Sequence, residues 1–165
     1  MVFLDIETTG LESKDRICSV GLITQSEHHY ELIHPGKKIP PAASAIHQIT
    51  NEMVANAPAF NDSKSAEKLR SLNGPESILV SHNAPFELDM LQKEGLSWQG
   101  RVIDTLKCSK SLMDDLEGYG LQFLRYELRL YRTEEKVFGK YGIPIIPHHA
   151  LSDALHTKMV LDYLS

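Results

Sequence analysis

The length and composition of this chain exclude several broad classes of protein. It has 165 residues, of which 42% are hydrophobic and 24% are charged. These values are typical of one globular domain, so we expect residues 1–165 to form a single domain and not a disordered, fibrous or coiled-coil protein. No apolar run reaches the ~18 residues that a membrane-spanning helix needs. The N-terminus also lacks the basic segment of a signal peptide.

Two further counts bear on location and partners. The cysteines, Cys18 and Cys108, give neither a disulfide framework nor a CxxC pair, so we expect a reduced, cytoplasmic location and no membrane partner. Lys and Arg total 17 and Asp and Glu total 22, which gives a net charge of −5. On its own, this acidic balance argues against nucleic-acid binding, which usually requires an excess of basic residues.

Three strands are predicted near the N-terminus. The run VFLDI at Val2–Ile6 is apolar except for one acid, which is typical of a strand in a sheet covered on both faces. ICSVGLIT at Ile17–Thr24 and HYELIH at His29–His34 are predicted to form a hairpin around Gln25–His28. Helices are then predicted over residues 42–49, 51–55 and 62–72.

The second half of the chain alternates helices and strands. The apolar run SILVS at Ser77–Ser81 is a fourth predicted strand, and the prolines within Gly142–Pro147 favour a loop before the last helix. Three strands followed by helices alternating with two more strands predict an α/β fold, with a mixed five-stranded sheet flanked by helices. The remaining predicted elements are a strand over 101–104 and helices over 85–94, from 105, over 121–131 and over 149–164.

The first candidate site residues are Asp5 and Glu7. Because residues two apart on a strand share a face, both acids should point the same way from the end of an otherwise apolar strand. In open α/β sheets this end of a strand opens onto the ligand crevice. Two buried like charges repel each other and lose hydration unless a cation compensates them. A divalent cation, usually Mg²⁺, would compensate both charges. Alternatively, the two acids lie on the solvent-exposed face of an edge strand.

Two later segments carry further candidates. His148 and Asp153 lie in PHHALSDA, where Asp153 falls on the flank of an apolar helix stripe and should face the core. The alternative for Asp153 is an acid that favours the helix N-terminus. HNAPFELDM, which begins at His82, places Glu87 and Asp89 in the first turns of a helix that starts at the end of a strand. For these two acids, complementarity to the helix dipole is again the alternative.

These segments resemble a known family. DIETTGL at Asp5–Leu11, HNAPFE at His82–Glu87 and HHALSD at His148–Asp153 look like the three motifs of the DEDDh (DnaQ-like) 3′→5′ exonucleases. AIHQITNEMVA at Ala45–Ala55 and DTLK from Asp104 occupy the expected intervening positions. The resemblance covers nearly the whole chain and is strongest to the branch that includes exodeoxyribonuclease X.

The resemblance implies a ribonuclease-H-like fold and a metal-dependent 3′→5′ exonuclease. Such an enzyme hydrolyses phosphodiester bonds at DNA 3′ ends, on single strands or 3′ overhangs, and releases nucleoside 5′-monophosphates. Asp5, Glu7, Glu87 and Asp153 would hold two Mg²⁺ ions, with Mn²⁺ as a substitute, and His148 would act as general base. Two divalent ions would offset four negative charges, so the net charge is a poor guide to the partner. The residues expected to contact the terminal nucleotide are Thr8, Thr9, Gly10, Leu11, Ile46, His47, Asn83 and Phe86.

The chain departs from the family pattern at its second motif. The family usually has Asp directly after the Phe, where this chain has Glu87. Asp89 is a possible substitute, but two residues along a helix turn by ~200°, so it should point elsewhere. Simple core packing is the alternative for Ile46 and Phe86.

Several functional alternatives stay open. The chain could trim RNA 3′ ends, proofread as a polymerase-associated subunit, or bind 3′ ends as a catalytically weakened module. The absence of a tail after the last helix argues against the proofreading subunit. Arg125, Arg129 and Arg132 recur at helical spacing, followed by Lys136 and Lys140, which predicts either a solvated face or a surface that tracks phosphates.

Overall fold

The computed structural model describes all 165 residues. Five strands form one mixed sheet: β1 (Val2–Thr8), β2 (Ile17–Ile23), β3 (His28–Leu32), β4 (Ile78–Ser81) and β5 (Arg101–Asp104). Their order across the sheet is β3-β2-β1-β4-β5. The first three strands are antiparallel neighbours, whereas β4 runs parallel to β1 and β5 runs parallel to β4.

Eight α-helices accompany the sheet. They are α1 (Pro41–His47), α2 (Asn51–Val54), α3 (Lys64–Leu72), α4 (Ala84–Lys93), α5 (Thr105–Leu112), α6 (Leu121–Glu127), α7 (Glu134–Tyr141) and α8 (Ala150–Leu164). Short 3₁₀ turns cover Phe60–Asp62 and Leu130–Arg132. The predicted α/β class and mixed five-stranded sheet are confirmed. None of the helices has both the length and the apolar character needed to span a bilayer.

The alternation of side chains along β1 divides the core into two sides. Phe3 packs on one side, in a group that includes Leu155 of α8. Leu4 packs on the other, with residues of α3 and α4. Since residues two apart share a face, Asp5 and Glu7 lie on the side of Phe3 and point towards α8. The predicted shared face of the two acids is therefore present, and the final helix covers it.

One glycine allows α8 to approach the sheet closely. Gly21 on β2 pairs with Asp5 on β1. A Cβ atom at Gly21 would lie 2.2 Å from the carbonyl carbon of Ala150, the first residue of α8. No side chain fits this contact, so the position requires glycine. The close approach brings the first turn of α8, which carries Asp153, against the end of β1.

The predicted helix over residues 121–131 is wrong in its second half. Arg129 has a left-handed backbone conformation, with φ of +55°, and the chain turns so that Leu130 is buried. A 3₁₀ turn and the unpredicted helix α7 follow. Arg125 is buried while Arg129 and Arg132 are exposed, so the three arginines do not form one helix face. Burial of Leu130 outweighs the local helical pattern here.

Candidate active site

Three carboxylates from distant parts of the chain meet at one place. Asp5 and Glu7 extend from the end of β1, and Asp153 extends from the first turn of α8. One oxygen from each lies within 4.8 Å of the others. No lysine or arginine pairs with any of the three. The arrangement therefore concentrates negative charge without a protein cation to balance it.

The pKa values reflect this crowding. Burial raises the pKa of Asp5 well above its ordinary range, and the charges of Asp153, Glu7 and Glu87 raise it further. Burial, with a smaller contribution from Asp153, raises the pKa of Glu7 to about 8. Groups whose charged forms are so disfavoured are typical of functional sites. A divalent cation would reverse the effect by favouring the ionised carboxylates.

Glu87 lies next to this cluster, in the first turn of α4. Its side chain is buried and its Oε2 atom has no hydrogen-bond partner. Burial raises the pKa of Glu87, as do the charges of Asp104 and Glu7. Asp89, in contrast, is exposed and pairs with Lys93 Nζ at 2.8 Å. The charge of Glu87 raises the pKa of Asp5, so Glu87 lies near the cluster, but it is outside the group of three acids and lines neither cleft.

His148 lies at the edge of the cleft beside the carboxylates. This cleft has a volume of about 290 Å³ and is lined by Asp5, Glu7, Asp153 and His82 as well as His148. The His148 backbone has a φ of +56°, and its N–H donates to Asp153 Oδ2 at 3.0 Å. The residue is exposed. The main chain is thus fixed to Asp153 while the imidazole remains accessible from the cleft.

A second, larger cleft adjoins the first at Glu7. Its volume is about 640 Å³. Leu11 and Ile46 line it with largely exposed side chains (84% and 55%), so the cleft offers apolar surface to a ligand. Asn83 and Phe86 line neither cleft, and Phe86 packs against the hydrophobic core. The predicted nucleotide-contact residues in the larger cleft are Thr8, Thr9, Gly10, Leu11, Ile46 and His47.

Both ring nitrogens of His47 are already engaged. Nδ1 accepts a hydrogen bond from the Ile49 N–H at 3.1 Å, so Nε2 carries the proton and donates to the Thr8 carbonyl oxygen at 3.1 Å. Burial also lowers the pKa of His47, which favours the neutral ring. His47 therefore holds α1 against the end of β1 and shapes the wall of the larger cleft.

Asp15 is one residue of this region that the sequence did not reveal. It accepts hydrogen bonds from Thr9 Oγ1 (2.8 Å), the Glu12 N–H (2.9 Å) and Lys37 Nζ (2.9 Å). Burial raises the pKa of Asp15, but these bonds outweigh burial and bring the pKa to about 2. The carboxylate thereby fixes the loop between β1 and β2 that forms one wall of the larger cleft. In the sequence, ESKDR resembles an ordinary charged surface loop.

A ring of buried polar side chains around Asp153 is the second feature that the sequence did not reveal. Gln122 Nε2 donates to Asp153 Oδ1 at 2.9 Å, and Arg125 Nη1 lies 3.4 Å from Gln122 Oε1. Arg125 forms two bonds of 2.6 Å to Glu134. His156 completes the group: its Nε2 is 3.2 Å from Glu134, whereas its Nδ1 is 3.7 Å from Asp153 and has no hydrogen-bond partner. The ring joins α6, α7 and α8 and fixes the orientation of Asp153.

The sheet order and the half-buried acids at the end of β1 are those of a ribonuclease-H-like fold. The sequence matches the RNase T exonuclease family over residues 2–161, and the chain belongs to this family. The structure is similar to that of exonuclease X in complex with 5′-overhanging duplex DNA, with a TM-score of 0.73 and 26% identity over 99% of this chain and 89% of that one. An E. coli exonuclease I complex with single-stranded DNA shares the fold at a TM-score of 0.66 and 17% identity.

Several relatives carry the name of DNA polymerase III. The DNA polymerase III subunit epsilon of Treponema pallidum is 33% identical over 168 residues, which cover 88% of this chain and 76% of that protein. The epsilon-like protein of Rhodobacter capsulatus is 34% identical over 81% of this chain. This chain spans only about a fifth of the Rhodobacter protein and about a tenth of the DNA polymerase III PolC-type protein of Thermotoga maritima.

Proposed function

We propose that residues 1–165 form one 3′→5′ exonuclease domain that acts on DNA 3′ ends and releases nucleoside 5′-monophosphates. The observation that carries this proposal is the convergence of Asp5, Glu7 and Asp153 within 4.8 Å in a chain of an exonuclease family. The relatives named as DNA polymerase III subunits, and the similarity to exonuclease X bound to DNA, favour DNA over RNA. The same relatives support a cytoplasmic location, which stays a prediction.

The carboxylates fit a divalent cation. Asp5, Glu7 and Glu87 have raised pKa values because they are buried among like charges, and Glu87 Oε2 lacks any partner in the protein. Hard cations such as Mg²⁺ prefer oxygen ligands of this kind, and Mn²⁺ accepts them too. Asp5, Glu7, Glu87 and Asp153 would hold two such ions. When bound, they would lower the pKa of a water molecule and stabilise negative charge on the leaving 3′ oxygen.

His148 is the proposed general base. It lies in the same cleft as Asp5, Glu7 and Asp153, and its imidazole is accessible. An imidazole nitrogen can accept a proton, so the exposed His148 ring can take one from the attacking water. The hydrogen bond from the His148 N–H to Asp153 holds the residue beside the reaction centre.

The larger cleft is the proposed site for the 3′-terminal nucleoside. Glu7 lines both clefts, so a nucleoside in the larger one has its phosphodiester bond beside the carboxylates. Leu11 and Ile46 offer apolar surface to a base. Thr8, Thr9 and Gly10 follow Glu7 directly and would contact the terminal sugar through the backbone. His47 supports this wall through Thr8.

Degradation of matched DNA and RNA oligonucleotides tests the proposal. With a 5′ label and Mg²⁺ or Mn²⁺, we expect successive shortening of the DNA from its 3′ end, release of mononucleotides and no reaction in EDTA. His148→Ala should lower the rate by about 10²–10⁴-fold if it removes a general base. Thermal melting gives an independent readout of metal binding, because a ligand that binds only the folded state raises Tm. Mg²⁺ should stabilise the wild type more than Asp5→Asn.

Several results would contradict parts of the proposal. Shortening from the 5′ end, or no reaction with either metal, would contradict the exonuclease assignment. Faster degradation of RNA than DNA would overturn the choice of substrate alone. Full activity of His148→Ala would remove the general-base role while leaving the carboxylate site intact.

A further inference from the structure

An exposed pair of tyrosines lies beyond the active-site cleft. Tyr126 on α6 is 59% exposed and Tyr131 in the following 3₁₀ turn is 41% exposed. Their ring centroids are 5.7 Å apart and their planes are tilted by 34°. Aromatic faces presented to solvent in this way are the feature on which unpaired bases stack. We call Tyr126 and Tyr131 the tyrosine pair.

Exposed cations without ion-pair partners lie next to the tyrosine pair in the sequence and continue along α7. Arg129 and Arg132 flank Tyr131 in the sequence and are exposed. Neither forms an ion pair, and the same is true of Lys136 and Lys140 on α7. Residues 126–140 also include two exposed acids, Glu127 and Glu135. The exposed residues of this segment therefore carry four unpaired positive charges and two negative charges. The excess of positive charge suits a phosphodiester backbone, although the whole chain is acidic.

A continuous series of contacts joins the tyrosine pair to the reaction centre. Gln122 lines the cleft of the carboxylates and donates to Asp153 at 2.9 Å. Arg125 lies 3.4 Å from Gln122, and its guanidinium carbon is 5.2 Å from the Tyr126 ring centroid. Gln122 and Tyr126 are four residues apart on α6 and therefore share one face of that helix. Tyr126 thus lies about one helical turn beyond Gln122 on α6, and Tyr131 packs beside it.

We propose that the tyrosine pair and the adjacent Arg129 and Arg132 bind the single-stranded DNA segment 5′ to the scissile phosphate. Bases stack on Tyr126 and Tyr131 while the arginines contact the phosphates. The larger cleft takes the terminal nucleoside on one side of the carboxylates, so the preceding nucleotides leave on the other side, towards α6. This proposal rests on the proposed exonuclease function.

The length dependence of hydrolysis tests the tyrosine pair. A 20-nucleotide oligo-dT reaches both tyrosines, whereas the dinucleotide pdTdT does not. For Tyr126→Ala/Tyr131→Ala, we expect the ratio of kcat/KM for the long substrate to that for the dinucleotide to fall about tenfold or more, since stacking of each base contributes substantially to binding. Tyr126→Phe/Tyr131→Phe keeps both rings and should restore the ratio. Tyr163→Ala, an equally exposed tyrosine at the far end of α8, is the matched control and should leave the ratio unchanged.

Direct binding separates this proposal from the exonuclease function itself. Fluorescence anisotropy of labelled oligo-dT in EDTA reports affinity when no cleavage occurs, and circular dichroism checks that each variant is folded. We expect Tyr126→Ala/Tyr131→Ala and Arg129→Gln/Arg132→Gln each to weaken binding about tenfold. The proposal would be overturned if Tyr126→Ala/Tyr131→Ala kept the wild-type kcat/KM ratio and oligo-dT affinity. It would also be overturned if kcat/KM fell equally for the dinucleotide, or if Tyr163→Ala had the same effect. A protein that binds through the tyrosines but degrades nothing would contradict only the exonuclease function.

Discussion

The ion pair between Arg125 and Glu134 offers a quantitative test of the ring around Asp153. Both side chains are nearly buried, at 11% and 8% exposure, and two bonds of 2.6 Å join them. Arg125→Met would leave Glu134 buried with only His156 as a partner. Removing one member of a buried pair typically costs about 3–5 kcal/mol, because the other charge remains without compensation. We therefore expect the free energy of unfolding to fall by about that amount.

The corresponding change in Tm is large enough to measure easily. For a chain of this size, each kcal/mol changes Tm by roughly 2–4 °C, so Arg125→Met should lower Tm by about 6–20 °C. Urea denaturation followed by circular dichroism gives the same quantity independently. Arg125 also holds Gln122 towards Asp153. Arg125→Met should therefore reduce the increase in Tm that Mg²⁺ produces.

A second variant and a control isolate the effect of the uncompensated charge. In Arg125→Met/Glu134→Gln the glutamine is neutral and still accepts a hydrogen bond from His156, so we expect most of the lost stability to return. Lys68 and Glu27 form a pair of similar length, 2.6 Å, but both are more exposed (31% and 50%). Lys68→Met should therefore cost much less stability than Arg125→Met, because solvent screens the exposed pair. The reasoning would be refuted if Arg125→Met lost no more stability than Lys68→Met. It would also be refuted if Arg125→Met/Glu134→Gln regained none of the stability lost in Arg125→Met.

Three further predictions concern individual side chains. Glu87→Gln should lower kcat by orders of magnitude in the oligonucleotide assay, whereas Asp89→Asn should have little effect because Asp89 is exposed and faces away from the carboxylates. Hydrogen bonds bring the pKa of Asp15 to about 2 against an ordinary 3.8, so we expect the ionised carboxylate to stabilise the fold by about 1–2 kcal/mol at neutral pH. This stabilisation is complete above about pH 5 and is lost as the pH falls from about 4 to 2, which denaturation of the wild type and Asp15→Asn would measure. Gly21→Ala should lower stability by about 3 kcal/mol and also kcat, because the new Cβ displaces α8 and Asp153.

Each of these predictions has an outcome that contradicts it. A severe loss in Asp89→Asn with normal activity in Glu87→Gln would exchange the roles of the two acids. Equal pH profiles of stability for the wild type and Asp15→Asn would mean that the Asp15 hydrogen bonds contribute no net stability. If Gly21→Ala melted at the same temperature as the wild type, α8 could shift without a loss of stability.

The sequence predicted the strand that carries the site and the face on which its acids lie. Alternation along β1 is a local property, so Asp5 and Glu7 could be assigned to one face from their spacing alone. The same holds for Glu87 and Asp89, whose opposite orientations follow from the helical turn. Arg129 shows the limit of such patterns. Its left-handed conformation ends α6 against a favourable helical periodicity, because Leu130 is buried by contacts with distant residues.

By itself, the sequence determined the fold class, the three motifs and which acids could meet. Only the tertiary structure decided that Asp153, nearly 150 residues after Asp5, lies within 4.8 Å of it, and that Gly21 is what lets α8 come so close. It also decided that Arg125 is a buried partner of Glu134 and that Tyr126 on the same helix is exposed. Periodicity specifies which side of an element is apolar, but not which element covers it. The polar side chains around Asp153 and the exposed tyrosine pair depend on which element covers which face. That is decided by packing across the whole chain.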